Sequence, residues 1–150
     1  LPEIIIEIGI FRGGTTSYWN NLLAPKGLYV GIDLNDRGYV PYVQEKYRLD
    51  DRMEFILGDS TDKSVISACE ILLAGKKADI VFIDGSHDPL YFKADYRNYE
   101  PFIKEGGLII FHDLASTEIG RFYDLIKKDF NHLEFWGKVN PCGIGVLIKK

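Results

Sequence analysis

Two short stretches concentrate the groups best suited to chemistry, Phe82-Ile83-Asp84-Gly85-Ser86-His87-Asp88 and Ile110-Phe111-His112-Asp113. Each ends an apolar run, so parallel neighbouring strands would deliver both to one rim. Asp84, His112 and Asp113 could there form a three-ligand metal site with open positions. Two carboxylates suit Mg²⁺ or Mn²⁺, and an imidazole ligand tilts the choice toward Mn²⁺, Fe²⁺ or Zn²⁺. His87 follows Asp84 closely enough to serve as a general base on a substrate hydroxyl. The plainer alternative is that His112 only hydrogen-bonds backbone and Asp113 only begins a loop.

A second cluster opens the chain, in Glu7-Ile8-Gly9-Ile10-Phe11-Arg12-Gly13-Gly14-Thr15. In an open α/β sheet, ligands sit beyond the carboxyl end of the first strand. The rival fingerprint there is G-x-G-x-x-G, whose second glycine lets the backbone approach a pyrophosphate. Counted from Gly9, that position holds Phe11, which obstructs a dinucleotide. S-adenosylmethionine carries no phosphate. It needs only a tight turn (Gly9, Gly13) and an acceptor for its ammonium, a role open to Glu7 directly or through water. Asp33 stands where an acidic residue accepts from both ribose hydroxyls. Asp59 can accept from the adenine amino group, with Ser60 beside it. Asp84, on the same rim, is counted with the cofactor contacts as well as with the metal ligands. A plain strand-to-helix turn remains the alternative for the loop, and a helix cap for Asp59.

Methyl transfer would use such groups well. The sulfonium is already activated, so the protein must align a nucleophile with it. A hydroxyl is a poor nucleophile until its proton leaves. A metal lowers its pKa, and a base contributes about 10²–10⁴-fold.

The elements that must position these residues alternate between strand-like and helix-like patterns, which implies βαβ units and a mostly parallel sheet. Strands are expected at Glu3 to Ile8, Leu28 to Asp33, Met53 to Leu57, Ala78 to Asp84 and Leu108 to Phe111. Helices are expected from about Thr16 to Leu23, near Pro41 to Tyr47, after Ser60 to Ala74-Gly75, and from about Thr117 to Phe130. Phe92, Tyr96, Tyr99 and Ile103 recur at helical spacing, with Pro101 kinking or restarting that helix. Thr15 or Thr16 and Ser60 or Thr61 are the expected caps. His132 to Gly137 and Ile144 to Lys149 leave no room for a helix between them, so Asn140-Pro141-Cys142-Gly143 should turn an antiparallel hairpin. Tyr39, Tyr42, Tyr91, Phe92 and Trp136 could line an aromatic-tolerant pocket.

The chain's 150 residues fit one domain. With 46% hydrophobic and 27% charged residues and a net charge of −4, it has the balance of a soluble globular protein, and no Lys/Arg cluster tracks a phosphate backbone. Nucleic acid and membrane are therefore not the expected partners; a cytoplasmic location and a possible homodimer are. Cys69 and Cys142 lack metal-ligand or redox spacing and are expected to be reduced. The chain runs from Leu1-Pro2 straight into a core strand, which suggests a fragment lacking N-terminal helices.

Taken in order, Glu7-Ile8-Gly9 with Gly13-Gly14-Thr15, Gly31-Ile32-Asp33, Gly58-Asp59-Ser60, Asp84-Gly85-Ser86-His87, Tyr91, Asp95, Gly106-Gly107 and His112-Asp113 resemble the class I S-adenosylmethionine-dependent methyltransferases. The likeness is to the group of cephalosporin-biosynthesis enzymes and macrolide or rhamnosyl O-methyltransferases. It implies a doubly wound, Rossmann-like α/β fold with a seven-stranded sheet of order 3-2-1-4-5-7-6. Cofactor would lie over the first three strand ends and acceptor over the fourth and fifth. It also implies Mg²⁺ at the positions of Asp84 and His112-Asp113, and His87 as base. The chain departs from the pattern at His112, where metal-dependent relatives carry a carboxylate. The resulting expectation is methyl transfer from S-adenosylmethionine to a hydroxyl of a small molecule. The alternatives are an NAD-dependent oxidoreductase and a non-catalytic S-adenosylmethionine-binding domain.

Overall fold

A computed structural model describes residues 1–35, 37–138 and 142–150. Seven strands form one sheet: β1 (Ile4–Ile8), β2 (Leu28–Asp33), β3 (Met53–Leu57), β4 (Ala78–Ile83), β5 (Ile103–Phe111), β6 (Asn131–Phe135) and β7 (Ile144–Ile148). Their order is β3-β2-β1-β4-β5-β7-β6. All pairings are parallel except those of β7, which is antiparallel to β5 and to β6. The seven-stranded order and the terminal antiparallel pair are as expected. Asn140-Pro141, in the expected turn, lie outside the described residues.

Among the described residues, five α-helices connect the strands: α1 (Gly14–Leu22), α2 (Val40–Tyr47), α3 (Lys63–Leu73), α4 (Pro89–Tyr99) and α5 (Thr117–Ile126). Ile4, Ile6 and Ile8 of β1 join Val65 and Leu73 of α3, Phe92 and Tyr99 of α4 and Phe122 of α5 in the larger core. Ile5 faces the other way, with Tyr29, Met53, Ile80 and Trp19 of α1. The strand period of two thus divides β1 between both faces, and β4 is buried on both, as its apolar run requires.

Several boundaries differ from expectation. Gly13, not Thr15 or Thr16, caps α1 in a left-handed conformation, because the Thr16 hydroxyl turns inward to Glu7. Asp62, not Ser60 or Thr61, precedes α3; the Ser60 hydroxyl is committed to Asp95. α4 ends at Tyr99, and Pro101 sits in a 3₁₀ turn, Glu100–Phe102. Ile103 therefore begins β5 instead of continuing the helix, five residues before the expected strand start at Leu108. α5 likewise gives way to a 3₁₀ turn at Lys127–Asp129. No helix among the described residues is long and apolar enough to cross a membrane.

Register builds the site. Ile8 pairs with Ile32 and Ile83, Ile32 with Ile56, and Ile83 with Phe111. One step beyond this row, the chain places Gly9, Asp33, Asp84 and His112 along one rim.

Candidate active site

The rim opens into a cleft of about 860 Å³. Its floor is the turn after β1. Gly9 has φ +92°, and a Cβ there would fall 2.6 Å from the carbonyl carbon of Asp84. The two strand ends are laced together, with the Asp84 N–H donating to the Ile8 carbonyl and the Gly9 N–H to the Ile32 carbonyl, each at 2.9 Å. Only glycine allows that approach.

Phe11 follows with φ +49°, a conformation costly for a bulky residue. Asp33 holds it there: one carboxylate oxygen accepts from the N–H groups of Ile10 (2.7 Å) and Phe11 (3.0 Å). Asp33 is thus a lock for the loop as well as an acidic group facing the cleft. The Phe11 ring meets Tyr39 edge-on at 5.3 Å, and the Arg12 guanidinium lies 4.8 Å from the Tyr39 centroid while donating to its hydroxyl.

At the opposite end, His87 Nε2 lies 2.9 Å from Asp113 Oδ2. His112 Nδ1 stands between two carboxylates, 3.1 Å from Asp84 and 3.2 Å from Asp113. The ring nitrogen is buried there, within ion-pair distance of both carboxylates. The Asp84 contact, reinforced by Asp113, raises the imidazole to about 9 against the opposing effect of burial. Asp113 itself has φ +58°.

A profile of the family described as "Methyltransferase domain" matches residues 6–114, from the middle of β1 past the His112-Asp113 rim. The chain belongs to the methyltransferase family. The family match makes this methyltransferase domain one of the class I, S-adenosylmethionine-dependent group, and the strand order agrees with it. Over 120 residues, 75% of the chain, it is 26% identical to a demethylmacrocin O-methyltransferase from Streptomyces fradiae. The same identity and span relate it to a mycinamicin VI 2''-O-methyltransferase from Micromonospora griseorubida. The domain spans little more than a quarter of those relatives, 28% and 27% of their lengths. An O-methyltransferase from Bacillus cereus, solved in complex with SAH, superposes with a TM-score of 0.71 over 99% of this chain and 74% of that one, at 22% identity.

Within the methyltransferase domain, Gly9, Asp33, Asp59, Ser60, Asp84, His87 and Asp113 line the cleft. Glu7, Gly13 and His112 do not. Gly13 starts α1 instead, and His112 lies behind Asp84 and Asp113. Asp59 has one oxygen held by the Thr61 N–H and hydroxyl, at 2.8 and 2.7 Å, which fixes its carboxylate plane at the cleft wall. Tyr39 and Tyr91 line the cleft as an aromatic pocket would need. Phe92 is instead core, and Tyr42 and Trp136 are exposed away from it.

Asp95 is a cleft residue that sequence reasoning left out of the site. It is 1% exposed and accepts from the Ser60 hydroxyl at 2.6 Å. Burial, partly offset by that hydroxyl, raises it to about 6. The available signal was its position on the apolar stripe of α4, between Phe92 and Tyr99, where a carboxylate without a partner would be costly.

Glu7 departs most from expectation. It is fully buried under α1, accepting from the hydroxyls of Thr16 (2.8 Å) and Tyr29. Its Oε1 and the nearby Trp19 Nε1 are buried without a hydrogen-bond partner. Burial dominates the two hydroxyls and raises the carboxyl from 4.5 to about 7. The neutral form is therefore favoured by folding. That contribution is fully present below about pH 4.5 and is lost as pH rises through about 7. It amounts to about 3 kcal/mol. Glu7→Gln, which mimics the neutral acid, should abolish this dependence. Urea unfolding of both proteins between pH 5 and pH 8 checks it, and parallel stability profiles would refute a buried, proton-holding Glu7.

Proposed function

We propose that this domain binds S-adenosylmethionine in the cleft and transfers its methyl group to a hydroxyl of a small molecule, with His87 as the general base. The observation that carries the reading is the His87–Asp113 pair at 2.9 Å, facing the same cleft as Asp33 and Asp59. The names of the two macrolide O-methyltransferase relatives support the hydroxyl acceptor. S-adenosylmethionine supplies an electrophilic methyl group. Asp33 accepts from the ribose hydroxyls while keeping the loop closed, and Asp59 accepts from the adenine amino group. Asp113 takes the Nε2 side of His87, leaving Nδ1 to receive the acceptor proton as oxygen attacks the methyl carbon and the carbon–sulfur bond breaks. Asp113 then stabilises the imidazolium, as the carboxylate does in other base–carboxylate pairs.

Mg²⁺ suits this donor set poorly. It prefers oxygen ligands in a near-octahedral array, and here an imidazole nitrogen stands between the two carboxylates. No step of the proposed transfer runs through Mg²⁺.

The rival oxidoreductase reading conflicts with Phe11, whose ring lies on the cleft wall where a dinucleotide needs glycine. Calorimetric titration separates the two. S-adenosylmethionine and S-adenosylhomocysteine should bind with one site per chain, and NAD should give no heat at comparable concentration. Saturable NAD binding without S-adenosylmethionine binding would overturn the reading.

A further inference from the structure

The ends of β5 and β7 bring together three different ligand types. One ligand atom each from His112, Asp113 and Cys142 lies within 4.8 Å of the others. Two backbone hydrogen bonds hold the segments in register, from the Leu114 N–H to the Gly143 carbonyl (3.2 Å) and from the Ala115 N–H to the Cys142 carbonyl (2.8 Å). The cluster therefore does not depend on the reach of a long side chain. All three residues are half-buried, so a cation can enter without unfolding the rim.

We propose that His112, Asp113 and Cys142 form a binding site for a thiophilic divalent cation of the Zn²⁺ type. The chemistry of the donors selects the ion. A thiolate and an imidazole favour Zn²⁺ and related borderline metals, whereas Mg²⁺ and Ca²⁺ need oxygen. Nitrogen, sulfur and carboxylate oxygen supply three protein ligands and leave a fourth position open, the pattern of catalytic rather than structural zinc. Binding releases the thiol proton, and any proton on the imidazole, to solvent.

Asp113 also contacts His87. A cation there would sit beside the proposed base and could hold the acceptor oxygen at its open position. That use rests on the methyl-transfer reading; the binding itself does not.

The test uses the full-length protein stripped with a chelator and titrated with Co²⁺ and Zn²⁺. Co²⁺ should produce a thiolate-to-cobalt charge-transfer band at one equivalent. Zn²⁺ should quench it, and millimolar Mg²⁺ should not. Cys142→Ser should abolish the band, His112→Ala should weaken binding by about tenfold or more, and Cys69→Ser should retain it. Cys69 is fully buried, and burial raises its thiol to about 12, so it serves as the internal control. A second measurement needs no variant: Zn²⁺ should slow alkylation of Cys142 in the wild-type protein, read by mass spectrometry. A missing band, a band that survives Cys142→Ser, or alkylation indifferent to Zn²⁺ would each overturn the site. Calorimetry with S-adenosylmethionine on the same samples separates the failures. Cofactor binding without metal binding defeats this inference alone, and metal binding without cofactor binding defeats only the methyl-transfer reading.

Discussion

Replacing His87 with Ala in the full-length protein should lower methyl transfer about 10²- to 10⁴-fold while leaving S-adenosylmethionine affinity essentially unchanged. The separation follows from geometry. His87 occupies the Asp113 end of the cleft, whereas the turn, Asp33 and Asp59 form the end assigned to the cofactor. More than half of its side chain is exposed, at 56%, so truncation removes little packing and the fold should survive. Added imidazole should restore part of the lost rate, because a diffusible base can enter the space the ring leaves. Steady-state kinetics with a hydroxylated acceptor, beside calorimetry on the same sample, provides the check. Unchanged turnover would remove His87 from the chemistry. Absence of turnover in the wild type as well, with cofactor still bound, would favour the non-catalytic domain.

Gly9→Ala should be the most damaging single-methyl change in the cleft. The added carbon would lie 2.6 Å from the Asp84 carbonyl carbon and 2.8 Å from the Gly85 nitrogen, at φ +92°. Both obstacles are backbone, which cannot swing aside as a side chain tip can. Either β1 and β4 separate at the rim, or the turn abandons its conformation and the Asp33 contacts with it. The expected cost exceeds about 3 kcal/mol, a fall in Tm on the order of 10 °C, with loss of S-adenosylmethionine binding. Gly14→Ala is the matched control. Nothing lies within 4 Å of its added carbon, and the residue opens α1 with an ordinary helical φ. It should be neutral or slightly stabilising. Equal melting of the two variants would contradict the close approach at Gly9.

Much of this architecture was legible because its signals are local. Apolar runs of strand length and the lack of space for a last helix each depend on neighbours in sequence. The parallel succession of such units places strand ends on one rim, so Gly9, Asp33, Asp84 and His112 could be aligned from their positions at the ends of apolar runs. The hydroxyl of Thr16 was less legible, since a threonine at a helix start can cap or turn inward. Its direction depended on Glu7 waiting beneath it.

The sequence by itself determined the order of elements, the side of the sheet on which the chemistry gathers, and the residue types available there. Tertiary structure alone decided which of those residues touch. Glu7 and Ile8 are adjacent in the chain, yet α1 seals one of them away while the other borders the cleft. Asp33 found its partners in the loop after another strand, and Cys142 reached His112 only because β7 turns back along β5. Backbone periodicity is set by nearest neighbours, whereas the partner of a polar side chain is set by whichever segment packs across from it, and that is a property of the assembled sheet.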